Sequence, residues 1–206
     1  MIDAPVQPRR RSLRLDGYDY AQAGVYFVTV CVQDRACLFG RIVGGAMHLN
    51  VAGELAARAW SSIPAQFSGV EIDAFVVMPN HLHGIIVIAD GVSVGASLVG
   101  APDASERAAT RAAPTDLDRD DNANRAANKR PTVGDIVGGF KSSFTVEFIR
   151  GVKAGRWPSF NRRVWQRNYY EHVVRNETDL ARVRRYIEEN PLRWEFDREN
   201  PARSVP

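Results

Sequence analysis

The stretch that most constrains this chain is Phe75 to Ile88, where two apolar, β-branched runs flank Pro79-Asn80. It reads as two strands, Val70 to Met78 and His81 to Ile88, meeting at a tight connection. Successive side chains of a strand alternate between faces, so His81 and His83 share one face and Leu82 turns the other way into the core. Two imidazoles so placed can put two nitrogens on one metal ion. The competing reading is a pair of half-buried histidines on a sheet surface. Two of the chain's four histidines stand in this pair, which moves the balance toward metal.

A second stretch adds weight. Asn176 can cap a helix over about 177 to 190, Glu177 and Asp179 suit its first turn, and Pro191 stops it. Leu180, Val183 and Ile187 fall on its core stripe. Tyr186 and Asn190 lie one turn apart on the same face, so a phenol and a carboxamide oxygen can approach one ligand. Two imidazoles, one amide oxygen and one tyrosine make a three-ligand metal site with a nucleophile beside it. Tyr169 and Tyr170 are rival nucleophiles by proximity, but only Tyr186 has Asn190 a turn away.

At these residues the chain resembles a known family. Pro79-Asn80-His81-Leu82-His83 is similar to the HUH motif (His, bulky hydrophobic, His) of single-tyrosine transposases, and Tyr186 through Pro191 to their tyrosine helix. Trp165 through Glu177, and Tyr26-Phe27-Val28-Thr29-Val30-Cys31, resemble the branch called REP-associated tyrosine transposases. The likeness covers about residues 9 to 90 and 131 to 200. It implies an α+β fold of the ferredoxin-like kind, an RRM-like palm carrying an HUH endonuclease site. It also implies that His81, His83 and Asn190 hold a divalent ion, Mg²⁺ or Mn²⁺, and that Tyr186 is the catalytic nucleophile. Single-stranded or hairpin DNA would be the partner, cut to leave a 5′-phosphotyrosine and a free 3′-OH and then rejoined; the protein would act as a monomer or homodimer. Some relatives carry glutamine where this chain has Asn190, one methylene shorter.

The rest of the chain accommodates that reading. It has 206 residues, 45% hydrophobic and 25% charged, enough for one good core plus an excursion. A formal charge of +3 permits nucleic acid without requiring it. No run approaches the ~18 apolar residues of a membrane span, and no apolar segment follows Arg9, Arg10 and Arg11 to make a secretory signal, so a cytoplasmic protein is expected. That triplet is either a solvated basic tail, within a flexible segment 1–15, or an arm laid along phosphates. Cys31 and Cys37 lack metal-ligand spacing and read as reduced core thiols.

Gly24 to Gln33 reads as a central strand, Leu38 to Asn50 as a hairpin turning at Gly44-Gly45, and Val51 to Ile63 as a helix closed by Pro64. With the strand pair after it, this order suits an antiparallel sheet covered by helices on one face. A single domain over 16–200 is then interrupted at 90–130 by a low-apolar segment, either disordered or ordering over nucleic acid; 201–206 form a tail. Thr132 caps a further helix running to Gly151.

Lys141, beside Ser142 and Ser143 on that helix, offers either a phosphate contact or a solvated face. Arg156, Arg162, Arg163 and Arg167, interleaved with Trp157, Phe160, Trp165 and Tyr169, suit a single-strand binder; a half-buried strand is the alternative. Glu171 and His172 are expected near the start of the tyrosine helix, as a charged pair holding it or as groups behind the metal ligands. Three functions stay open: a nicking and joining enzyme, a hairpin-DNA binder that no longer cleaves, and a metal-dependent hydrolase.

Overall fold

The computed structural model describes residues 19–90, 130–157, 159–160 and 162–203. Arg9, Arg10 and Arg11 lie outside the described residues, as does nearly all of the 90–130 segment. Where the chain leaves the described part, at Asp90, and rejoins it, at Arg130, the two side chains form an ion pair of 3.3 Å. Both ends of that excursion therefore stand at one place on the surface.

Four strands form the main sheet: β1 (Gly24–Cys31), β4 (Val70–Val77), β5 (His81–Ile88) and β6 (Tyr170–Val174). A separate hairpin pairs β2 (Gly40–Val43) with β3 (Ala46–Leu49). Its turn is Gly44-Gly45, at φ 58° and 78°, the left-handed pair that a two-residue hairpin needs and glycine supplies. The helices are α1 (Val51–Ser61), the short α2 (Ile63–Gln66), α3 (Val133–Lys153) and α4 (Glu177–Glu189). Pro64 does not close α1 but stands in the first turn of α2, where a missing N–H costs nothing.

The sheet order is β4-β5-β1-β6, antiparallel throughout. Leaving the hairpin aside, the chain runs strand, helix, strand, strand, helix, strand, with the outer strands joining at opposite edges. This is the ferredoxin-like arrangement. The main core lies on one face, where Val28, Val30, Leu82 and Ile86 meet α1 and α3, and Trp60, Phe140 and Phe144 fill the space between them. On the opposite face α4 adds a second, smaller core, laying Val183 and Ile187 on Phe27, Ile85 and Val174. The helices expected on one face are there, and α4 is an addition to them.

Some local expectations change. Glu171 and His172 belong to β6, not to the approach of the C-terminal helix, because Asn176, accepting from the Asp179 N–H at 2.9 Å, starts α4 only afterwards. Residues 162–169 form no continuous strand; one bridge, Trp165 to Val32, attaches them to the end of β1. Cys37 is exposed rather than in the core.

Two measurements check this packing. A Cβ on Gly84 would come within 2.4 Å of Trp60. Gly84→Ala should therefore cost about 1–3 kcal/mol of stability in urea unfolding. Burial pushes the Cys31 thiol up to about 12, so only roughly one part in 10⁴ is thiolate at pH 8. Iodoacetamide should label Cys37 first and leave Cys31 unmodified until the chain is unfolded.

Candidate metal centre and nucleophile

Alternation and register build this site. On β1 the odd residues Phe27 and Thr29 face α4, and antiparallel pairing sets Phe27 opposite Ile85, Thr29 opposite His83 and Cys31 opposite His81. Both imidazoles thus emerge under α4, and Leu82 is fully buried on the other side. His81 and His83 are themselves nearly inaccessible.

Their rings are held from behind. His81 Nδ1 lies 2.8 Å from Asn80 Oδ1, and His83 Nδ1 lies 2.8 Å from Thr29 Oγ1. Phe27 stacks on His83, with centroids 5.5 Å apart. The two Nε2 atoms converge to 2.9 Å. Two ligands in adjacent positions of an octahedral ion, each ~2.1 Å from it, stand about 3.0 Å apart. The pair matches that spacing. Burial lowers the pKa of both rings, His81 to about 4 and His83 well below the usual imidazole range, so both are neutral, as ligation requires.

The α4 helix brings in the other two expected groups. Tyr186 Oη is 3.4 Å from His83 Nε2, and its ring meets Phe27 edge-on at 5.9 Å. Tyr186 is 43% exposed, so one side of the residue is open to solvent. Burial of the other side pushes its pKa up, while a hydrogen bond with Asn190 pulls the other way. Asn190 is buried, and its Oδ1 has no hydrogen-bond partner. A buried amide oxygen left unpaired costs about 1–3 kcal/mol unless something accepts its lone pairs, and a hard cation does so.

One member of the cluster was missed by sequence reasoning. After α4 the chain makes a 3₁₀ turn, Pro191–Phe196, and swings Asp197 back over the histidines. Its Oδ2 lies 3.7 Å from His81 Nε2, and with the two imidazoles it forms a group whose ligand atoms all lie within 4.8 Å. Burial raises this carboxyl's pKa; its Oδ1 accepts the Glu199 N–H at 2.7 Å. No helical or strand period links Asp197 to His81 or Tyr186, so no spacing signal marked it.

The other expected residues divide. His172 lies on the site face and binds Asp179, in the first turn of α4, at 2.9 Å. Arg184 does the same work farther along, pairing with Asp73 of β4 at 2.6 Å. Glu171 pairs in register with Val28 and belongs to the opposite face, so it does not stand behind the metal ligands. Lys141 directs its ammonium to the carbonyls of Gln166 at 2.9 Å and Asn168 at 3.5 Å. It straps that segment to α3 rather than standing free for phosphate.

Arg156, Arg162, Arg163 and Arg167 are exposed, the last three lining a shallow depression beside α3. The cleft at the histidines, about 840 Å³, is lined instead by Arg182, Arg193 and Arg198, with Tyr170 and the 76%-exposed Phe196. Sequence reasoning named none of these three arginines.

The chain is 37% identical over 191 residues to an uncharacterized protein of Haemophilus influenzae, covering 91% of each. The two belong to one family. No protein-family profile matches the chain. Among solved structures it is similar to a REP-associated tyrosine transposase bound to a REP hairpin, at 19% identity and TM-score 0.47, over 83% of this chain and 68% of that one. It is also similar to a candidate transposase from Deinococcus radiodurans, at 15% identity and TM-score 0.42, over 85% and 95%.

The orphaned amide supplies a test. Asn190→Leu should change the thermal stability of the metal-free protein little, since it removes an unpaired buried oxygen together with the hydrogen bond to Tyr186. If the site takes Mn²⁺, the ion should raise the Tm of the parent protein and not that of Asn190→Leu.

Proposed function

We propose that this protein is a metal-dependent single-strand DNA nickase and strand transferase of the REP-associated tyrosine transposase type. The observation that carries the reading is the convergence of the Tyr186 phenol and two imidazole Nε2 atoms on one open cleft, with the orphaned Asn190 oxygen delivered by the same helix. The ordered motifs around these residues support it.

His81, His83 and Asn190, with Asp197 beside them, would hold Mg²⁺ or Mn²⁺. Such an ion, when bound, supplies a Lewis acid for a phosphate oxygen. The rest of the chemistry falls to the chain. Tyr186 Oη attacks the scissile phosphorus and gives up its proton as it does so, since burial holds that proton tightly in the resting state. The bond from phosphorus to the 3′ oxygen breaks, and that oxygen takes up a proton to leave as a 3′-OH. The 5′ end remains on Tyr186 as a phosphotyrosine. A second 3′-OH reverses the step, because the covalent link retains the energy of the phosphodiester.

Arg182, Arg193 and Arg198 would meet phosphates along the cleft, and the exposed rings of Phe196 and Tyr170 would take unstacked bases. Arg156, Arg162, Arg163 and Arg167, on the α3 side, would meet a folded hairpin. None of the described helices is long and apolar enough to cross a membrane, and action on DNA suits a cytoplasmic location.

Asp197 favours a second reading. Two histidines and a carboxylate are the ligand set of many hydrolytic centres, which activate water instead of a side chain. Cleavage products separate the two. With Mn²⁺ and an end-labelled hairpin carrying a single-stranded flank, the enzyme should give a protein–DNA adduct that survives denaturation. EDTA and Tyr186→Phe should each abolish it. Two free ends in both proteins would establish the hydrolase, and hairpin binding without cleavage would establish a binder that no longer cuts. An adduct surviving Tyr186→Phe would move the nucleophile to Tyr169 or Tyr170.

A further inference from the structure

The two imidazoles are not held alike. Asn80 is fully buried, and its Nδ2 donates to the carbonyls of Arg35 at 3.0 Å and Glu199 at 2.7 Å. Carbonyls only accept, so this amide cannot be flipped, and its Oδ1 must face His81 Nδ1. That oxygen also only accepts. The proton of neutral His81 is therefore on Nδ1, and His81 Nε2 carries a bare lone pair.

His83 stands against a different partner. Its Nε2 is 2.9 Å from the bare Nε2 of His81, and its Nδ1 is 2.8 Å from Thr29 Oγ1. As a hydrogen bond between rings, the first contact needs the His83 proton on Nε2, with Nδ1 accepting from the threonine hydroxyl. As a pair of ligands on one ion, both Nε2 atoms must be bare, and the His83 proton must sit on Nδ1 and be donated to Thr29. A hydroxyl serves both arrangements, whereas a carbonyl or carboxylate serves one. The asymmetry is thus between an acceptor that locks and a hydroxyl that turns.

We propose that His81 is a fixed-tautomer ligand and His83 a switching one, with Asn80 and Thr29 as the positioning residues. When an ion binds, a proton leaves His83 Nε2 and one is taken up at Nδ1, while the Thr29 hydroxyl turns from donor to acceptor. No net proton is released, and neither ring changes charge. Asn80 has a second task, since the Glu199 carbonyl it grips is two residues from Asp197. The histidine lock and the placement of that carboxylate are one network.

This inference rests on the metal-dependent reading of the site, and histidine-selective ¹⁵N NMR tests it without any DNA substrate. In EDTA-treated protein, two-bond proton–nitrogen correlations should show His81 protonated on Nδ1 and His83 on Nε2. With Zn²⁺ as a diamagnetic ion, both should be protonated on Nδ1. A His83 that already carries Nδ1–H without metal overturns the switch while leaving metal binding intact. If Zn²⁺ moves neither ring's signals, the metal reading fails and the switch falls with it.

Thr29→Val keeps the branched shape of the strand and removes the hydroxyl. It should weaken Mn²⁺ binding, read by electron paramagnetic resonance, on the order of 10- to 100-fold, with Thr29→Ser restoring it. Unchanged affinity in Thr29→Val would overturn the part given to Thr29.

Discussion

Everything at the site hangs on the register between β1 and β5. Because strand side chains alternate, a slip of one residue would turn His81 and His83 into the apolar core and send Leu82 to the surface. Both neighbours of that register are fixed by packing. Gly84 lets Trp60 of α1 lie against β5, and Val28 and Val30 commit the even face of β1 to the main core. What remains for the odd face is Phe27, Thr29 and Cys31, and there the two imidazoles find a stacking ring and a hydroxyl. The convergence of the two imidazoles is thus a by-product of a hydrophobic decision made on the other side of the sheet.

The α4 helix turns that face into a cleft. Its apolar residues Val183 and Ile187 bind it to Phe27, Ile85 and Val174, while Arg184 to Asp73 and His172 to Asp179 pin it at the sides. The helix therefore holds Tyr186 and Asn190 at a defined height above the histidines. The same arrangement leaves a buried carboxamide oxygen unpaired, which costs stability, and half buries a phenol, which disfavours only its ionised form. The unpaired oxygen is the one placement here that a bound hard cation would relieve.

How far the sequence speaks depends on period. His81 and His83 were legible because a strand repeats every two residues, and Tyr186 with Asn190 because a helix repeats every 3.6. The two-residue turn at Gly44-Gly45 and the caps at Thr132 and Asn176 were legible because each rests on a local hydrogen bond or a positive φ. Asp197 follows an aperiodic 3₁₀ turn, and its meeting with His81 depends on Asn80 gripping the Glu199 carbonyl, a contact across 119 positions. Thr29 lay in plain sight as a strand residue, but its role follows only from register. Glu171 misled because it sits beside His172 in sequence and on the other side of the sheet in space.

The proposed site would hold one ion at His81, His83 and Asn190, beneath Tyr186. Anomalous diffraction from Mn²⁺-soaked crystals, recorded at the manganese edge, tests it directly. A single strong peak is expected within bonding distance of His81 Nε2, His83 Nε2 and Asn190 Oδ1. A peak held elsewhere, or no peak between the histidines at saturating Mn²⁺, would rule that site out.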